Sequence, residues 1–158
     1  MILGAIAGGF VGTVVLTTGS RLAQELGWTR MDIPLLLGTA FTSDRNRATV
    51  IGYALHFLNG ILFSLLYGLV FEAIGRAGLL LGLAFGFVHG AFAAGALLNV
   101  LLPVVHPRMA TPWTDARETP ILEQPGFLLS NYGRSTMLLT GLLHLGYGAL
   151  VGVFAGLA

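Results

Sequence analysis

The stretch TMLLTGLLHLGYGALVGVFAGLA, Thr136 to Ala158, runs for 23 residues without one Asp, Glu, Lys or Arg. About 20 apolar residues in helix suffice to cross the hydrocarbon of a bilayer. Its imidazole, His144, is therefore expected at membrane depth, where an ionisable side chain is costly and marks a functional site by default. Three further stretches are long and apolar as well: Ile2–Gly19, Thr49–Ile74, which holds Glu72 near its end, and Gly78–Leu102. Two of them carry a histidine as well, His56 and His89.

Composition agrees with four spans. The chain is 55% hydrophobic and 9% charged, against roughly 25% charged residues in a soluble domain. At 158 residues it is one domain, 1–158. A net charge of +1 leaves no electrostatic footprint for nucleic acid. With no cysteine, disulfides, Fe–S clusters and thiolate metal sites are excluded. All eight basic residues are Arg, so no lysine amine is present for Schiff-base chemistry. The first run lacks the basic flank of a cleavable leader and reads on as helix through Arg21–Leu26, so it is expected as a retained first span.

A tight turn, Gly75–Ala77, joins spans 2 and 3, whereas loops 20–48 and 103–135 place about thirty residues each on the opposite face. Seven of the eight arginines fall on that face: Arg21, Arg30, Arg45, Arg47, Arg108, Arg117 and Arg134. The positive-inside rule then puts both loops in the cytoplasm and both termini outside. The loops read as structured. Asp32 with Pro34 starts a short helix that Gly38 ends, and Thr42 or Ser43 is expected to cap the next helix with Asp44 in its first turn. Pro103, Pro107, Pro112, Pro120 and Pro125 predict extended chain in the second loop. Glu72 and Arg76 are expected as an i,i+4 ion pair, and Asp115, Arg117, Glu118 and Glu123 as a solvated loop face.

Glycines recur at steps of four, the spacing that lets helix backbones approach closely in lipid. They are Gly4, Gly8 and Gly12; Gly78, Gly82, Gly86 and Gly90; and Gly148, Gly152 and Gly156. Span 2 reads Gly52, His56, Gly60, Ser64, Gly68, and span 4 reads Thr140, His144, Gly148, Gly152, Gly156 in the same register. The expected fold is thus all-α, a polytopic four-helix membrane bundle built from two similar helical hairpins. Their pseudo-axis would run along the membrane normal.

That register gives His56 and His144 one depth, roughly 10–12 Å below the loop face at 1.5 Å per residue. His89, thirteen residues before Leu102, would lie roughly 20 Å down, one to two turns deeper. His106 lies above them in the second loop. Two readings follow. Neutral imidazole is a common metal ligand, and His56 and His144, with His89 and His106, would form a metal set. Facing His56 and His144 also suit the axial positions of a haem, such as haem b. Alternatively each imidazole makes one hydrogen bond across a helix interface, to a carbonyl, to Asn59, or to Tyr53, Tyr67 or Tyr147. No nucleophile-and-base pair or phosphate loop is present, and no catalytic residue is assigned.

Met31-Asp32-Ile33-Pro34 with Leu37-Gly38-Thr39, then His106-Pro107-Arg108-Met109, then Asn131-Tyr132-Gly133, resemble a group of small, uncharacterised bacterial four-helix integral membrane proteins. The resemblance covers most of the chain. It implies the four-span architecture and no activity, cofactor or catalytic residue. The functional expectation is a histidine-lined intramembrane site for a metal ion or haem. The alternatives are a non-catalytic subunit that docks on other membrane subunits or on its own copies through its glycine faces, and a small transporter with His89, Asn59 and Asn99 on its midline.

Overall fold

The computed structural model describes residues 1–111, 114–115 and 122–158. Pro112, Pro120, Arg117 and Glu118, which figured in the expectations above, lie outside the described residues. The regular elements are all helical: α1 (Ile2–Glu25), α2 (Ile33–Gly38), α3 (Arg45–Ile74), α4 (Leu79–Phe92), α5 (Leu102–Val105) and α6 (Thr136–Leu157). α4 runs on through a π-helical segment, Ala93–Leu101, into α5, so Leu79–Val105 is one rod. It and α1, α3 and α6 are each long and apolar enough to cross a membrane. Their outer surfaces carry leucine, valine and phenylalanine, with Leu3, Leu80, Phe87 and Leu157 largely exposed. An exterior of this kind suits a hydrocarbon solvent rather than water.

The helix boundaries follow local chemistry. The Asp32 carboxylate accepts from the Leu35 N–H at 3.0 Å and caps α2, with Pro34 in the first turn. At α3 the cap is Asp44 itself, which accepts from the Arg47 N–H at 2.8 Å. The Thr42 hydroxyl instead accepts from the Asp44 N–H at 3.2 Å. A carboxylate suits the positive end of the helix dipole better than a hydroxyl does, and α3 starts four residues earlier than Thr49. Gly75 closes α3 in the left-handed region at φ 66°. Span 3 continues past Leu102 to Val105, with Pro103 inside the rod just after the π-helical segment. Phe127–Tyr132 is a 3-10 helix rather than extended chain. Glu72 lies 3.8 Å from the Met1 amino nitrogen, and no ion pair joins it to Arg76.

Glycine decides which helices touch. α1 packs against α6 and α3, and α6 also packs against α4, giving the lateral order α3, α1, α6, α4. A methyl on Gly82 would meet the Gly148 carbonyl, and one on Gly148 would meet the Gly82 carbonyl. Along α1, Gly4 and Gly8 lie against the Phe154 and Leu150 carbonyls. The glycine lines are thus spent inside the chain, and Gly52 seats the Pro34 carbonyl of α2.

α3 and α4 are sequence neighbours, yet their backbones are not a closely packed pair. Large side chains fill the gap. The Tyr67 hydroxyl donates to the Phe85 carbonyl at 3.0 Å, and Phe63 stacks on His89 with ring centroids 3.9 Å apart. A two-fold along the normal relating the two halves would pair α3 with α4 as tightly as α1 with α6. α1 packs on α3, and α4 on α6.

The two loops fold onto each other as a cap with its own core of Met31, Leu36, Ala94, Leu98, Met109, Leu129 and Tyr132. Polar ties lock it. Thr29 and Thr136 share a hydroxyl hydrogen bond of 2.8 Å, the Arg30 N–H donates to the Tyr132 carbonyl at 2.7 Å, and Arg30 pairs with Glu123 at 3.3 Å. Leu128 and the buried Leu129 sit at φ 50° and 66°, a left-handed conformation that costs a side-chain-bearing residue of order 1–3 kcal/mol. The burial of Leu129 in the cap core offsets it.

Candidate functional site

Below the cap, between the helices, lies a cavity of about 100 Å³. His56 from α3, His89 from α4 and His144 from α6 all line it, together with Asn59, Thr13, Thr140 and Tyr147. Its apolar wall includes Leu16, Phe63, Leu97 and Leu143, and Met31, Ile33 and Leu37 close it from the loop side. Among the described residues no Arg, Asp or Glu lines it. Asn59 is exposed on the bundle and also lines the cavity, so the cavity reaches the outer surface beside α3.

Three of the histidines line this one cavity, and the close pair is not His56 with His144. The tight pair is His89 with His144, whose rings meet edge-on at a centroid distance of 4.8 Å and an interplanar angle of 80°. Two features change the depths that an ideal α-helical rise would give. The π-helical turn between His89 and the cap bonds i to i+5, so the rod advances less per residue than an α-helix. In addition α3 starts at Arg45, which sets His56 eleven residues into its helix and lowers it. His56 lines the same cavity, and its ring has an edge contact with Phe57 at 6.4 Å.

Hydrogen bonds fix the tautomers of the pair. A carbonyl only accepts, so His144 Nδ1–H donates to Thr140 O at 2.7 Å. The single Tyr67 hydroxyl proton is spent on Phe85 O. The Tyr67 oxygen therefore accepts from His89 Nδ1–H at 3.1 Å. Each ring keeps a bare Nε2 lone pair, and neither Nε2 has a partner among the described residues.

Thr140 is the residue the sequence reading missed. Thr13, Thr17 and Thr49 donate their hydroxyls to the carbonyls of Gly9, Thr13 and Arg45 four residues back, at 2.7, 2.6 and 2.8 Å. Thr140 is 3% exposed, lines the cavity, and its Oγ1 has no hydrogen-bond partner among the described residues. Leaving a buried hydroxyl unpaired costs about 1–3 kcal/mol. The one sequence signal was its alignment with Gly52 in the register.

His106 stands apart in the cap. Its Nε2–H donates to Leu36 O at 3.0 Å and its Nδ1 accepts from the Arg108 N–H at 3.1 Å, so both nitrogens are engaged. Burial lowers its pKa most, the Leu36 carbonyl opposes that, and nearby Arg108 lowers it further. Asn99 does not line the cavity, unlike Asn59 and His89. Among the described residues no three His, Asp or Glu side chains are grouped to hold a metal ion. No protein-family model, curated protein or solved structure matches this chain.

Proposed function

We propose that the chain is a multi-pass protein of a bacterial plasma membrane, with loops 20–48 and 103–135 in the cytoplasm, and that it binds one small ligand in the histidine-lined cavity. The observation that carries this reading is that His89 and His144 line one internal space with their Nδ1–H groups already spent, which leaves each an unpaired Nε2 acceptor. A pocket with apolar walls and a few convergent polar groups is the usual form of a ligand site. Haem is disfavoured as the occupant. Pockets for molecules of drug size take roughly 300–1,000 Å³, and about 100 Å³ holds no macrocycle. A metal ion remains a second reading for one reason: ligating histidines almost always donate their other N–H to a carbonyl or similar acceptor, as both do here.

The test is a titration of the full chain, labelled with ¹⁵N-histidine, in detergent. A ligand at this site moves the His89 and His144 Nε2 resonances together and leaves His106 in place. If Zn²⁺, Cu²⁺ and small hydroxylated probes all leave the pair unmoved, the binding reading fails.

A further inference from the structure

We infer that the ligand class is a neutral phenol or hydroquinone ring, bound with its hydroxyl donating to the His89–His144 pair and a ring oxygen within reach of the Thr140 hydroxyl. The inference rests on the binding reading above and narrows it.

Charge is the first argument. No charged side chain lines the cavity, and burying an unpaired ion there would be expensive. Size is the second. A dry cavity of about 150 Å³ accepts benzene, so about 100 Å³ limits the occupant to a single small ring at most. The wall is the third. Phe63 and Tyr147 supply aromatic surface and Leu16, Leu97 and Leu143 aliphatic surface, which suits the face and edge of a flat ring.

The polar groups then select the substituent. Two imidazole lone pairs ask for a donor, which a phenolic hydroxyl supplies, while His56 and Asn59 in the same lining carry N–H donors for a second ring oxygen. Thr140 Oγ1 adds the independent signal, because it is 97% buried and unpaired while Thr13, Thr17 and Thr49 satisfy themselves on their own helices. A site with buried polar groups held ready discriminates strongly against an analogue that lacks the matching group. The exposed side of Asn59 marks where the cavity meets the outer surface of α3. A ring dissolved in the bilayer would reach it without crossing the cap.

The experiment uses the full chain in detergent with hydroquinone, hydroquinone dimethyl ether, Zn²⁺ and Cu²⁺ as probes, read by calorimetry and by the histidine resonances. Hydroquinone is expected to bind and the ether to bind at least about tenfold more weakly. Equal binding of the two would overturn the donor argument. If a metal moves the His89 and His144 resonances and hydroquinone does not, the ligand class is wrong while the site stands. If no probe moves them, the site itself falls. Thr140→Val keeps the shape and removes the orphan hydroxyl, so the free protein should melt higher while hydroquinone binds about tenfold more weakly. A lower melting temperature with unchanged hydroquinone affinity would assign Thr140 a structural role and overturn its place in the site. An alkyl-tailed hydroquinone that binds more tightly than the free ring would identify the bilayer as the source of the ligand, and equal affinity would identify the aqueous side.

Discussion

His89 and His144 meet edge-on with ring centroids 4.8 Å apart, each holding its Nδ1 proton on a different acceptor, the Tyr67 hydroxyl and the Thr140 carbonyl. One acceptor belongs to α3 and the other to α6 itself, so the pair ties three spans to one point. His106 is fixed the opposite way, with its proton on Nε2.

The tautomers are directly measurable. ¹⁵N spectra of the histidine side chains should show protonated Nδ1 for His89 and His144 and protonated Nε2 for His106. Tyr67→Phe removes the acceptor for His89, and it should cost about 0.6–2 kcal/mol in thermal stability and allow both His89 tautomers. A spectrum with all three rings in one tautomer would break the argument for two free acceptors.

Much of this was legible because it is local. Span positions, the Asp32 cap and the glycine lines depend on residues within a turn or two of one another. The partner of His89 was hidden for a local reason. One π-helical segment changes the rise along span 3, and nothing in the pattern of Ala93–Leu101 marks it. The lateral order of the helices was hidden too. Adjacency in sequence suggests that α3 packs on α4, while the glycines put α1 and α4 on α6 and leave the aromatic side chains of α3 to fill the remainder. The cap core draws Met31, Met109 and Leu129 from segments without hydrophobic periodicity, so only the folded chain brings them together.

The glycine contacts separate into two sets. Gly86→Leu or Gly148→Leu should push apart α4 and α6, at a cost of about 1–3 kcal/mol through overpacking. Gly141 and Gly146 lie on the same helix as Gly148 with open space around them. Their replacement by Ala should be neutral or stabilise by up to about 1 kcal/mol, through the better helix propensity of Ala. Thermal melts in detergent decide this, and equal losses at Gly146 and Gly148 would refute the packing scheme.

Acidification should loosen the cap. The folded-state pKa of His106 lies below its ordinary value of about 6.5, chiefly because the ring is buried. Above that value both folded and unfolded chains carry it neutral. As pH falls through about 6.5 the unfolded chain takes up the proton first, so stability falls with pH until the folded pKa is passed. His106→Gln keeps an N–H donor and does not titrate. Its melting temperature should therefore decline less than that of the parent between about pH 7 and pH 5. Parallel curves would show that His106 is not the titrating group.

Orientation can be read with cysteines, since the chain has none of its own. Six described arginines, Arg21, Arg30, Arg45, Arg47, Arg108 and Arg134, lie on the cap side, and Arg76 lies at the opposite end of the bundle in the short turn after α3. Arginine near the ends of spans is retained on the cytoplasmic side. Ser43 and Ser130 are exposed on the cap and Arg76 is exposed in the turn. In intact cells, Ser43→Cys and Ser130→Cys should resist an impermeant thiol reagent, and Arg76→Cys should react. All three should react once the membrane is permeabilised, which shows that protection comes from the bilayer rather than from burial. Labelling of Ser43→Cys and Ser130→Cys in intact cells, with Arg76→Cys protected, would invert the protein. It would leave the cavity unchanged and place its cap on the outer side.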